Sequence, residues 1–127
     1  MDIDKMKSLP TPFRENGKFT AATASPFADC ASGILLASSN ACSKYNLRKR
    51  AKILSRVTIG CSIDYVLIGV VDATVQCLKK LNLKISDIDI FEINETFGTV
   101  NIFQKVLDVP FEKINPNGGG KQWNQLI

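Results

Sequence analysis

The sequence contains no histidine. That removes the commonest general base and the commonest zinc ligand together. A Ser-His-Asp or Cys-His catalytic pair cannot form from these residues. The cysteines Cys30, Cys42, Cys61 and Cys77 nowhere approach the CxxC spacing of a zinc ribbon or redox pair. Their small or apolar neighbours mark them as reduced thiols buried as small hydrophobes, with a redox or catalytic role as the competing reading. No apolar run approaches the ~18 residues of a membrane span. The opening Met1-Asp2-Ile3-Asp4-Lys5 is acidic and lacks an apolar core, unlike a signal peptide or an Arg-rich transit peptide. The expectation is a soluble, cytoplasmic chain (the mitochondrion being the alternative) with no membrane partner and no metal.

What is present is ordinary for a globular chain. Of 127 residues, 45% are hydrophobic and 22% charged, with a formal net charge of +4. Such values argue against general disorder, and the mild basic excess identifies no partner. Residues 1–18 are polar and punctuated by Pro10, Pro12 and Asn16-Gly17, so they read as loop and turn. Ser25-Pro26 resembles a helix start, and the small-residue stretch from Phe27 to about Tyr45 has helical spacing at Ala31, Ile34, Leu35 and Ser38. Ile53 to Ile59 alternates like a strand. Asp64 to Leu81 carries an apolar stripe through Leu67, Val70, Val71, Thr74, Cys77, Leu78 and Leu81, with Asn82 ending it. Ile88 to Ile93 reads as a strand buried on both faces. A further helix runs from near Thr96 through Phe97, Val100, Phe103 and Leu107 to Pro110. Strands alternating with helices predict an α/β fold with a parallel or mixed sheet and helical crossovers.

In open parallel sheets, ligands bind beyond the carboxyl ends of the strands. Asn94 stands there, and its amide can both donate and accept hydrogen bonds to a water or carbonyl oxygen; a turn or cap role is the alternative. Glu95 suits a first-turn acidic position. The turn Asn115-Pro116-Asn117-Gly118-Gly119-Gly120 allows backbone to approach a ligand, but it is not a phosphate loop. Lys44, Arg48, Lys49, Arg50, Lys52 and Arg56 form a basic cluster, read as a solvated connector in preference to a nucleic-acid surface.

Together these pieces resemble the thiolase family. Asn16-Gly17-Lys18-Phe19-Thr20-Ala21-Ala22-Thr23-Ala24-Ser25 is similar to the thiolase stretch NGTVTAxNAS, and Ala28-Asp29-Cys30-Ala31 falls at NDGA. Asp87 to Phe97 resembles the strand and NEAF motif, and Glu112 to Gly119 resembles EKVNxNGG. The motifs keep the family's order and intervals from about Pro12 to Gly120. The resemblance is to the acetyl-CoA C-acetyltransferase, or acetoacetyl-CoA, type. It implies Claisen condensation and thiolysis of acyl-CoA. A cysteine thiolate takes the acyl group, a second cysteine moves the α-proton, a histidine activates the nucleophile, and oxyanion holes hold the thioester oxygens. It also implies a five-layer α/β fold, incomplete here. Residues 1–46 would hold the end of the loop region and the last helix of the N-terminal half; residues 47–127 would hold a truncated C-terminal domain. By position, Asn94 matches the asparagine that builds an oxyanion hole through a bound water. Ser25 matches a serine on the pantetheine arm of CoA, and Ala21 and Ala22 would line the same tunnel. No resident cofactor is implied, since the CoA thioester is substrate. Partners would be acyl-CoA or CoA, and a second copy or a full-length thiolase subunit, with no nucleic acid.

Several positions depart from the family. Thr23 replaces an asparagine, Thr96 replaces the NEAF alanine, and the GxGPxPA segment has become Leu67-Ile68-Gly69-Val70-Val71-Asp72-Ala73 without prolines. No cysteine aligns with a catalytic one, and the GHP and CxGGG motifs are not found. The chain alone is therefore expected to be inactive. The alternative expectation is a degenerate, non-catalytic remnant that pairs with a complete subunit.

Overall fold

The computed structural model describes residues 2–25, 27, 29 and 31–118. Four α-helices are present among them: α1 (Ile3–Lys7), α2 (Ser39–Lys44), α3 (Gly69–Leu81) and α4 (Thr99–Leu107). Single 3-10 turns occupy Ile85–Asp87 and Phe111–Lys113, and a longer 3-10 segment, kinked at Tyr65, occupies Ile63–Ile68.

The long helices are those whose apolar stripes have something to cover. α3 turns Val71 and Leu78 inward, and α4 turns Thr99 and Phe103 inward. Phe103 is 0% exposed and Val109 1%. With Val71, Phe91 and Ile114 they make one small core, against which Ile68, Val70, Ile88, Ile93, Val100 and Leu107 pack. The Phe91 and Phe103 rings lie 5.3 Å apart in a tilted arrangement.

The ends of α2, α3 and α4 follow one rule. Asn46, Asn82 and Asp108 each adopt a left-handed conformation just past a helix, with φ of 49°, 54° and 51°. In each case the following N–H reaches back five residues, from Leu47 to Cys42, Leu83 to Leu78 and Val109 to Gln104. This is a Schellman closure, in which Asn or Asp tolerates the αL position that glycine usually takes. α4 thus stops at Asp108, and Pro110 only follows it. Its start also differs from the sequence reading. Phe97 (φ 46°) and Gly98 (φ 76°) are left-handed, so the helix begins at Thr99 and excludes Phe97.

The sheet is where the sequence expectation needs correction. Among the described residues the only pairing is a parallel bridge between Phe91 and Ile114. Phe91 N–H donates to Lys113 O and Asn115 N–H to Phe91 O, both at 2.8 Å. Ile88 to Ile93 is buried on one face, not two, because Asp89, Ile90 and Glu92 are exposed. Residues 53–59 form no ladder, yet from residue 54 on their side chains alternate: Ser55, Val57 and Ile59 are half-buried, and Leu54, Arg56 and Thr58 exposed, while Ile53, on the same face as Ser55, is exposed. A strand needs a neighbour for its backbone groups. Here one contact is Lys80 Nζ donating to Arg56 O at 3.3 Å.

The helix expected over 27–45 is reduced to α2, which Ser38 caps by accepting from Ala41 N–H at 3.2 Å. Residues 31–38 have no regular structure, and Ile34, Leu35 and Leu36 are exposed. A helix this short of partners is marginal in water. Three consecutive large apolar residues also fit a doubly buried strand better than an amphipathic helix. Conversely, α1 lies in a stretch read as loop, started by Asp2 Oδ1 accepting from Lys5 N–H at 3.0 Å. Cys42 and Cys77 are half-buried and Cys61 is exposed, so these thiols are less buried than expected; Cys30 lies outside the described residues. No described helix is long and apolar enough to cross a membrane.

Candidate active-site cleft

The site is built around residues 91–99, where the paired segment ends and α4 has not yet begun. Beyond Phe91 the ladder is continued by a side chain. Asn115 Oδ1 accepts from Ile93 N–H at 2.7 Å, and its Nδ2 donates to Ile93 O at 3.0 Å. The same Nδ2 donates to Glu95 Oε1 at 2.9 Å. One buried amide thus supplies a donor and an acceptor to the backbone just before Asn94, and a donor to the carboxylate just after it. Asn115 itself is left-handed (φ 47°): its N–H makes the last backbone bond of the bridge, to Phe91 O, and its side chain makes the next ones. Gly118 N–H closes the following turn on Asn115 O at 2.8 Å, with Gly118 at φ 93°. Gly119 and Gly120 lie outside the described residues. Lys113 Nζ donates to Ile88 O at 2.6 Å and so ties the other end of the segment.

The N-terminal loop is held against this corner by aromatic rings. Phe97 meets Phe13 and Phe19 edge-on, at 5.5 and 6.0 Å between centroids. Such contacts offset the cost of a bulky residue at positive φ. Thr20 and Thr23 then fold the loop. Thr20 N–H donates to Thr23 Oγ1 at 2.9 Å, Thr23 Oγ1 donates to Thr20 O, and Ala22 N–H donates to Thr20 Oγ1. Thr23, where the family has asparagine, therefore builds the turn that carries Ala21 and Ala22. Ser25 Oγ donates to Glu95 O across seventy positions of sequence. The capping role read for Ser25 is replaced by this long-range tie, and Pro26 lies outside the described residues. Glu95 is likewise no first-turn residue, because α4 begins later; its carboxylate serves Asn115.

Gly98 is needed at this corner. It is left-handed, and a Cβ on it would meet Phe19 Cε1 at 3.4 Å. Gly98→Ala is expected to lower stability by about 1–2 kcal/mol through the cost of the αL conformation, since a Cβ contact with the Phe19 ring at that distance is an ordinary one. A denaturation midpoint unchanged from the parent would show that Phe97-Gly98 can relax.

Asn94 opens onto a cleft of about 230 Å³ lined by Leu67, Val70, Ile93, Asn94, Thr96 and Thr99. The walls are mostly apolar and the polar residues among them, Asn94, Thr96 and Thr99, come from one short stretch of chain, a composition suited to a small acyl group and its carbonyl. Asn94 Nδ2 donates to Thr96 Oγ1 at 2.9 Å, and Asn94 O accepts from Thr96 N–H at 3.0 Å. Thr99 Oγ1 donates to Thr96 O. Asn94 and Ser25 are thus brought to one corner, one residue apart through Glu95. Ala21 and Ala22 sit in the adjoining loop and are not among the residues bordering this cleft; Ala22 is half-buried and Ala21 exposed. The sequence reading missed Asn115 as the clamp, Thr96 as the neighbour of the Asn94 amide, and Leu67 and Val70 as wall. The signal for the last two was available: they head the apolar stripe that the sequence shows from Leu67 to Leu81.

A family profile described as thiolase, C-terminal domain, matches residues 47–121. The chain is 35% identical over 118 residues to the mitochondrial 3-ketoacyl-CoA thiolase of Homo sapiens, and 41% identical over 118 residues to a steroid 3-ketoacyl-CoA thiolase of Mycobacterium tuberculosis. These alignments cover 92% of this chain and 30% and 29% of the two relatives. The chain therefore spans about a third of the length of the relatives it matches. In three dimensions it is similar to the crystal structure of human mitochondrial 3-ketoacyl-CoA thiolase in complex with CoA. The TM-score is 0.84 at 31% identity, over 95% of this chain and 31% of that one. With a profile match over more than half of its length, this chain belongs to the thiolase family.

Proposed function

We propose that the chain contributes the CoA-thioester corner of an acyl-CoA C-acyltransferase of the acetoacetyl-CoA type, with Asn94 presenting its amide to the thioester oxygen through a water. The observation that carries this reading is the position of Asn94: beyond the carboxyl end of a parallel-paired segment, on the lip of an apolar cleft, tied through Glu95 to Ser25. A fixed amide there can stabilise developing negative charge without reorganising. Ser25, with Ala21 and Ala22 in the adjoining loop, is read as the pantetheine-facing edge. The similar human structure is a complex with CoA, which supports CoA as the ligand class. No resident cofactor is required, because the thioester is itself substrate. Of the two compartments the sequence allowed, the mitochondrion is the one named for the human relative.

The reaction itself needs a thiolate nucleophile and a base. These 127 residues contain no histidine, so what they offer is binding and orientation, and the thiolate and the base have to come from residues outside them. The second reading, a non-catalytic remnant paired with a complete thiolase subunit, is favoured by one observation. Ile53, Leu54, Ile63 and Tyr65 are among the chain's exposed large apolar groups, and such surface is characteristically covered by a partner.

The purified chain is expected to show no acetoacetyl-CoA thiolysis, while binding acetyl-CoA in calorimetric titration. Asn94→Ala is expected to weaken that binding by about fivefold, the loss of one net hydrogen bond. Turnover by the chain alone would overturn the reading of it as incomplete. Unchanged affinity in Asn94→Ala would overturn the role given to Asn94.

A further inference from the structure

The family's NEAF segment places alanine two residues after its asparagine, and this chain has Thr96 there. The substitution puts a hydroxyl against the side chain that the segment presents. Asn94 Nδ2 donates to Thr96 Oγ1 at 2.9 Å, and both residues border the cleft. The hydroxyl is held in place from both sides. Thr96 N–H donates to Asn94 O at 3.0 Å, and Thr96 O accepts from Thr99 N–H at 3.0 Å and from the Thr99 hydroxyl. Thr99 is buried at the first turn of α4, so the Thr96 backbone is pinned between the strand end and a helix. Branching at Cβ further restricts where Oγ1 can go.

We propose that Thr96 is a positioning residue for Asn94: its hydroxyl takes one Nδ2–H, fixes the plane of the amide, and leaves the second N–H and Oδ1 to face a thioester carbonyl or its bridging water. The inference rests on the reading of Asn94 as the thioester-oxygen group. The physical reason is ordering. The last torsion of an asparagine side chain is broad, so an amide with no neighbour must give up rotational freedom when it engages a ligand. A preoriented amide has less to lose and binds more tightly for the same contact. With alanine in place of Thr96 that restraint is gone. The effect should fall on recognition of the carbonyl and leave the CoA body untouched.

The test compares two ligands on the full chain: acetyl-CoA and S-ethyl-CoA, a thioether that lacks the carbonyl. The readout is the ratio of their affinities. Thr96→Val, which keeps the branched shape without the hydroxyl, is expected to lower the preference for acetyl-CoA by about three- to tenfold, the range of one hydrogen bond. Thr96→Ser is expected to keep most of it. A general weakening of the fold would reduce both affinities together and leave the ratio unchanged. In 15N-labelled protein without ligand, one Nδ2–H of Asn94 is expected to be shifted downfield and slowed in exchange, and Thr96→Val should abolish both signatures. A ratio unchanged in Thr96→Val but lost in Asn94→Ala overturns the inference and leaves the role of Asn94 standing. A ratio that rises in Thr96→Val also overturns it, since the hydroxyl would then be blocking the amide. A ratio unchanged in Asn94→Ala, or an unaltered chain that binds neither ligand, overturns the underlying reading and this inference with it.

Discussion

Phe103→Ala is expected to destabilise the chain by about 3–5 kcal/mol, the range for removing a fully buried ring from a packed core. Two features put the cost at the upper end. Phe103 is completely enclosed, and its neighbours Val71, Phe91, Val109 and Ile114 come from separate stretches of chain. These are the buried hydrophobic residues of the single cluster, so the ring is what joins α3, α4 and the bridged segment. Small domains hold only about 5–15 kcal/mol in total, and a chain with so few buried side chains sits low in that range. Urea denaturation followed by circular dichroism measures the change. Val106→Ala is the control, since it lies on the same helix at 59% exposure and should shift stability by no more than about 0.5 kcal/mol. Equal effects at the two positions would show that the cluster around Phe103 is not the stabilising core.

That contrast within one helix also indicates which parts of the structure the sequence could disclose. α3 and α4 were legible because an amphipathic stripe is local information: it needs only some apolar surface to face, and each helix supplies one to the other. The end of α3 at Asn82 was legible for the same reason, since its cap acts on bonds five residues away or fewer, whereas α4 ends at Asp108 ahead of the Pro110 that the pattern suggests. Strands are different. The alternation at residues 53–59 separates the half-buried Ser55, Val57 and Ile59 from their exposed neighbours but not Ile53, which is exposed, and a ladder depends on a second strand whose position no local pattern encodes. Residues 31–38 fail more completely, because Ala and Ser spacing imitates a helix while Ile34, Leu35 and Leu36 demand burial on all sides. At the site, Asn94 was legible as a polar residue closing an apolar strand. Ser25 was found by resemblance to a family motif, yet its contact, the Glu95 carbonyl, was invisible because it spans most of the chain. Thr96 was noted only as a departure from the family, and its hydrogen bond to Asn94 needed coordinates. Asn115 was hardest of all. It sits in a turn-like string of Asn, Pro and Gly, where an asparagine ordinarily bonds its own backbone two residues on. Here it bonds the backbone of a segment more than twenty positions earlier.

Asn115 therefore carries the second large expectation. Replacing it by alanine is expected to destabilise the chain by about 3 kcal/mol and to loosen the Asn94 corner before the rest of the molecule unfolds. Two contributions add. Removing the amide leaves Ile93 N–H, Ile93 O and the Glu95 carboxylate without the partner they have at 2.7–3.0 Å; stranded polar groups in a partly buried site cost about 1–3 kcal/mol. The backbone at φ 47° adds about 1 kcal/mol more, because alanine tolerates the left-handed region less well than asparagine. Asn115→Gly separates the two, since glycine removes the amide but accepts the conformation freely. It should recover about 1 kcal/mol relative to Asn115→Ala and no more. Asn115→Asp keeps an acceptor for Ile93 N–H but turns a carboxylate toward Ile93 O and Glu95, so like charges meet where a donor stood. It should be at least as damaging as the glycine variant at neutral pH. Hydrogen exchange distinguishes a local from a global effect. In Asn115→Gly the amides of Ile93, Glu95 and Thr96 should exchange much faster while Phe103, inside α4, keeps most of its protection. Uniform acceleration across both groups would mean that Asn115 stabilises the whole fold without holding Asn94 in particular, and no acceleration at Ile93 would mean that the amide is dispensable to the site.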